Sequence, residues 1–141
     1  MESIVLHADS AYMVSVDNFV RAICDINHIS NYYATILVVV QEAVEHVVAF
    51  GKVNQPSDDI QLTFDFCPQG VFFRVRGAKS CFQSDDHSLM QMLADDIELS
   101  DDASTLQISF AIRGIDYREA AKRISVLDHF YHPASASLLQ M

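Results

Sequence analysis

The stretch Asn31–Phe50 carries only two side chains charged at neutral pH, Glu42 and Glu45. Its apolar residues are densest from Ile36 to Val40. Such a segment reads as one long helix, and a helix apolar on most sides must be covered on most sides. Ser30 fits as its N-cap and Gly51 as the C′ residue that ends it. No uninterrupted apolar run reaches the roughly 18 residues of a membrane span. The expectation is therefore a core helix, and the rest of the chain must supply what covers it.

A sheet is the natural cover. Ile60, Leu62, Phe64 and Phe66 alternate with polar residues, the period of a half-buried strand. Pro68-Gln69-Gly70 makes a turn and Val71–Arg76 runs back, so residues 60–76 form a hairpin. In its second strand Arg74 and Arg76 share one face, while Phe73 and Val75 share the other. A short strand, Ser3–Leu6, opens the chain. Asp9-Ser10 starts a helix from Ala11 to about Ile26, with Met13, Val16, Val20, Ile23 and Cys24 at helical spacing. Residues 27–30 break it. Lys52–Asp58 reads as a loop, and Ala78–Asp86 as a polar loop whose Asp85 or Asp86 caps a short helix through Leu93. Asp96–Leu99 and Thr105–Ile112 are strands joined by a turn at Asp101-Asp102-Ala103. Asp116 with Glu119 opens a last helix, Tyr117 to about Phe130, which Pro133 ends. The tail Ala134–Met141 reads as loosely held. The order β-α-α-ββ-α-ββ-α favours an α+β two-layer sandwich, a mostly antiparallel mixed sheet with helices on one face.

At 141 residues the chain fits a single domain over 1–141. Its net charge of −10 repels phosphate backbones and anionic lipid, which argues against nucleic acid and membrane as partners. A basic partner or a cationic ligand stays compatible with that charge. Cys24, Cys67 and Cys81 form no Cys-x-x-Cys pair, which points to a reducing cytoplasm and away from a zinc site or a disulfide framework. Met1-Glu2-Ser3 lacks the basic start of a signal peptide. No Gly-x-Ser-x-Gly, P-loop or dinucleotide fingerprint occurs.

The segment Val38-Val39-Val40-Gln41-Glu42-Ala43-Val44-Glu45-His46, the opening Ile4-Val5-Leu6-His7-Ala8-Asp9 and the join Leu93-Ala94-Asp95-Asp96-Ile97-Glu98-Leu99 together resemble the histidine-kinase-like ATPase (GHKL) superfamily. Within it the chain is similar to the bacterial anti-sigma-factor serine kinases over residues 3–112. The resemblance implies that fold. It also implies a nucleotide cleft in which a glutamate activates a hydroxyl or water, an asparagine holds Mg²⁺ and an aspartate binds adenine. Glu42 matches the glutamate. His46 stands at the asparagine, and imidazole is a poor oxygen substitute for Mg²⁺. Arg76, beside Gly77, stands near the aspartate, and guanidinium cannot accept the adenine amino proton. No glycine lies between Gly77 and Gly114, so the family's glycine-rich lid is missing. The resemblance thus implies a degenerate cleft at Glu42, His46, Arg76 and Gly77.

Other constellations are weaker. Glu42 and His46, four apart, share a helix face and suit an acid–base or metal pair, but a surface ion pair or a histidine hydrogen-bonded in the old cleft is the favoured reading. Glu42-x-x-Glu45-His46 lacks the first histidine of a zinc-peptidase helix. His129-x-x-His132 is spaced for a metal but offers two ligands. Asp85, Asp86, Asp95, Asp96, Glu98, Asp101 and Asp102 form either an acidic patch for a basic partner or a solvated strand edge. Cys81, on the polar loop, is the most exposed candidate thiol, with His87 close in sequence.

The expected function is a catalytically degenerate, anti-sigma-factor-like regulatory module that binds protein and does not hydrolyse ATP. The resemblance implies a sigma factor or a STAS-type regulator as partner, with no resident cofactor and no metal. The helix over 117–130 offers a surface for the open sheet face or for a homodimer. Two alternatives are a divergent protein serine kinase using ATP and Mg²⁺ with Glu42 as base, and a small-anion binder using the vacated cleft through Arg76 or Arg74.

Overall fold

The computed structural model describes residues 1–7, 11–53, 59–82 and 88–113. Along the chain these form β1 (Glu2–Leu6), α1 (Tyr12–Ile26), a 3₁₀ turn (Ser30–Tyr32), α2 (Tyr33–Val53), β2 (Ile60–Cys67), β3 (Gly70–Arg76), α3 (Ser88–Leu93), β4 (Asp96–Leu99) and β5 (Thr105–Ala111). The helix expected over 117–130, the pair His129 and His132, and the caps Asp9, Ser10, Asp85 and Asp86 lie outside the described residues, as does His87.

The five strands run in the order β1-β2-β3-β5-β4. Every neighbouring pair is antiparallel. Among the described residues the sheet is thus purely antiparallel, not mixed. Two helices lie between β1 and β2, so the chain comes back beside β1 running against it. A parallel pairing needs a single crossover instead.

The pleat sorts the side chains. Leu62 pairs with Val75 and Phe64 with Phe73; Val75 then pairs with Leu106 and Phe73 with Ile108. All six are buried. The Phe19 ring of α1 meets Phe73 edge-on, with centroids 6.5 Å apart, so this is the face the helices cover. The other face carries Ser3, Gln61, Thr63, Arg74, Arg76, Thr105 and Gln107.

α2 is the central helix of that cover. Ile36, Val39, Val40, Ala43, Val44, Val47 and Val48 are all buried. Its length and mean hydropathy of 1.5 would also suit a membrane span, but here those side chains are spent on the core. Its ends differ from the sequence expectation. Ser30 does not cap it: its hydroxyl donates to Asp25 at 2.9 Å, and a 3₁₀ turn comes first. At the other end the helix runs through Gly51 to Val53. Gly51 is helical rather than a C′ residue, and residues 52 and 53 belong to the helix rather than to the loop. A Cβ added at Gly51 meets nothing within 4 Å. Gly51→Ala is therefore expected to stabilise the protein by about 0.5–1 kcal/mol, read as a raised denaturant midpoint.

Candidate functional site

Glu42 and His46 stand one turn apart on α2, both half-buried. The Glu42 carboxylate accepts the backbone N–H of Met90, 3.0 Å away, in the first turn of α3. Met90 is itself fully buried. Glu42 thus ties α3 to the middle of α2, and part of its acceptor capacity is committed to that tie. Gly77, where the chain leaves β3, packs on the next residue of α2 after His46. A Cβ there would lie 2.4 Å from Cγ1 of Val47 and 3.2 Å from Sγ of Cys81. Glycine at this position is thus a condition of close strand–helix approach. Gly77→Ala is expected to cost about 1–3 kcal/mol by overpacking. In a double-mutant cycle with Val47→Ala the pair should destabilise less than the sum of the two, since Val47 is the group in the way.

Beyond Gly77 the chain folds onto the turn between β4 and β5. Gly77 N–H donates to the Ser104 carbonyl at 2.8 Å, Ser80 N–H to Asp102 at 2.8 Å and Phe82 N–H to Ala103 at 3.0 Å. Ser80 and Ala103 both hold positive φ, 70° and 54°. The turn is braced from within: one Asp102 carboxylate oxygen accepts from both hydroxyls of Ser100 and Ser104 and from the Ser104 N–H. These bonds hold the Asp102 carboxyl below its ordinary value. The result is that Cys81 and Phe82 are buried, at 4% and 1% exposure.

This corrects the expectation that Cys81 is the most exposed thiol. Burial pushes its thiol up to about 11 and that of Cys24 up to about 12, far from a reactive thiolate. Cys67 is half-buried. Native protein should therefore show one fast-reacting thiol of the three towards a disulfide reagent at neutral pH, and all three after denaturation. Cys67→Ser should abolish the fast phase.

Arg76 does not join the others. It sits opposite Gln61 and Thr105 in the sheet, on the face turned away from α2. Glu42 and His46 are on α2, across the sheet from the Arg76 side chain, while Gly77 follows Arg76 directly at the end of β3. The acidic run is partly used by the fold as well. Asp95 accepts the Ala111 N–H at 2.7 Å and Asp102 braces its turn, while Asp96, Glu98 and Asp101 are exposed.

The group that the resemblance implies, Mg²⁺-ATP, can be tested against these residues. The volume beside Gly77 is taken by Val47 and Cys81. His46 offers nitrogen where a hard oxygen is needed, and Arg76 is on the wrong face to meet adenine. The described residues do not fit Mg²⁺-ATP. No cluster of three or more His, Cys, Asp or Glu suited to a metal occurs among them either. No family model matches the chain, and no curated protein matches it.

Sequence motifs miss the polar residues on the sheet face turned away from the helices. Ser3, Gln61, Thr63 and Thr105 gather around the two arginines there. Their signal was present, since they alternate with the core residues of their strands, but no motif marks them.

Proposed function

We propose that the chain is a regulatory protein-binding module of the histidine-kinase-like ATPase fold, similar to anti-sigma factors, that does not turn over ATP. The packing at the residues the resemblance matches supports this reading. Gly77 packs against Val47 and Cys81, and Glu42 is engaged by the Met90 N–H. A scaffold that uses these residues for its own packing retains its outer surfaces for a partner. The resemblance makes that partner a sigma factor or a STAS-type regulator, met in the cytoplasm.

The first test is calorimetry of the full chain with Mg²⁺-ATP and Mg²⁺-ADP. A nucleotide at about 100 times its Kd would add about 2.7 kcal/mol to stability and raise Tm visibly. The expected result is no heat of binding and no shift at millimolar nucleotide. Direct titration with sigma factors and STAS-type proteins of the source organism should then give a saturable complex with one of them. Saturable ATP binding with phosphotransfer to serine, lost in Glu42→Ala, would overturn the reading in favour of a divergent kinase. Absence of any complex across that panel would overturn the partner class.

A further inference from the structure

We propose a ligand site on the sheet face turned away from α1 and α2 that binds a small phosphate monoester through Arg74 and Arg76. A hollow of about 200 Å³ lies there, lined by Met1, Ser3, Gln61, Thr63, Arg74, Arg76 and Thr105; the Met1 amino group is paired with Asp65 at 3.8 Å. It is smaller than the roughly 300–1,000 Å³ of drug-sized pockets, which sets the size of its ligand.

The charge is unusual for this chain. Acidic residues outnumber basic ones 19 to 9, yet no carboxylate lines this hollow. The acidic residues of the same face stand at its margins. Asp65 is one pleat further along β2, and Glu98 is on β4, beyond Gln107. The two arginines alternate on β3, so both guanidinium groups serve one face. Two cations placed side by side with no carboxylate between them are a self-repelling arrangement unless an anion joins them.

The hollow is also prearranged. Arg74 donates to Oε1 of Gln107 at 2.7 Å, and its guanidinium lies over the Phe72 ring, 5.2 Å from the centroid. One bond and one stack fix its plane while its remaining N–H donors stay available. Across the hollow, Gln61 Nε2 donates to the Ser3 hydroxyl at 3.2 Å. The Ser3 and Thr63 hydroxyls meet at 3.2 Å, and Thr63 is only 6% exposed although it is on the open face. The Arg76 side chain is exposed and makes no hydrogen bond or ion pair to any described residue. It is free to swing onto an oxyanion held by Arg74. Two guanidinium groups and a bank of hydroxyls match the several acceptor oxygens of a phosphate better than the two of a carboxylate.

The test is an amide-resolved NMR titration of the full chain with inorganic phosphate and with glycerol 3-phosphate. Sodium chloride at matched ionic strength serves as the control. Acetate tests the carboxylate alternative. Saturable shifts clustered at residues 3, 61–63, 74–76 and 105 are expected with glycerol 3-phosphate and, more weakly, with phosphate. Arg76→Gln should weaken the affinity about tenfold and Arg74→Gln at least as much, while Arg76→Lys should not restore it. Arg76 is exposed, so its variants keep the fold. The proposal fails if the shifts do not saturate, if sodium chloride reproduces them, if acetate binds as tightly, or if Arg76→Gln binds like the parent.

Discussion

Phe73→Ala should remove about 3–5 kcal/mol of folding stability, a large fraction of the roughly 5–15 kcal/mol that holds a domain of this kind together. Phe73 is where the two layers meet. Its ring contacts Phe19 of α1, Phe64 of β2 and Phe110 of β5, with centroids 6.5, 5.3 and 6.4 Å away. Those partners come from one helix and two separate strands, so no single element can move inward to close the gap. The lost transfer energy is therefore compounded by a cavity. In urea the midpoint should fall sharply with little change in slope. Phe73→Leu keeps most of the volume and should cost far less. A loss below about 1 kcal/mol for Phe73→Ala would mean that the layers are not packed through this ring.

Gly70→Ala should be comparably damaging, about 3 kcal/mol or more, for an unrelated reason. An added Cβ would lie 2.3 Å from the Phe110 carbonyl oxygen and 2.5 Å from the Ile112 nitrogen. Both obstacles are backbone, and Ile112 is pinned because its N–H donates to the Gln69 carbonyl at 2.9 Å. No truncation of a neighbouring side chain can relieve such a clash. This separates it from Gly77, where Val47 can be cut back. It also separates it from Gly51, where the same substitution should stabilise. Three glycine-to-alanine variants, measured under one denaturant protocol, should thus give a large loss, a rescuable loss and a gain.

What could be read from the sequence follows from how each signal arises. The β2–β3 hairpin was legible because Ile60, Leu62, Phe64, Phe73 and Val75 each obey the local period of two. The extent of α2 was legible from composition, but its C-terminus was not. Glycine is also tolerated inside a helix, and nothing local separates that use from an end. Cys81 and Phe82 were illegible because two apolar residues among Lys79, Ser80 and Gln83 have no period. Their burial comes from docking on a turn more than 20 residues away. Arg76 is more instructive. The alternation that placed Arg74 and Arg76 together and away from Phe73 already put Arg76 on the face opposite the helices. Matching it to a motif position suggested a cleft instead. Here the pleat, a physical constraint, was the better guide.

The place of β1 has a consequence for how the chain assembles. Among the described residues β1 touches the sheet only through β2, and residues as far apart as Ser3 and Thr63 are partners in that ladder. The β2–β3 pairing, by contrast, closes around Pro68 and Gln69. The entropy of loop closure rises with length by only about 0.6 kcal/mol per doubling, but it must be met before the contact returns anything. The hairpin can therefore form early and present a finished edge. β1 gains its single neighbour only once α1 and α2 have folded back to shorten the span. Amide exchange should follow the same order, with β1 opening first and the β3–β5 ladder last.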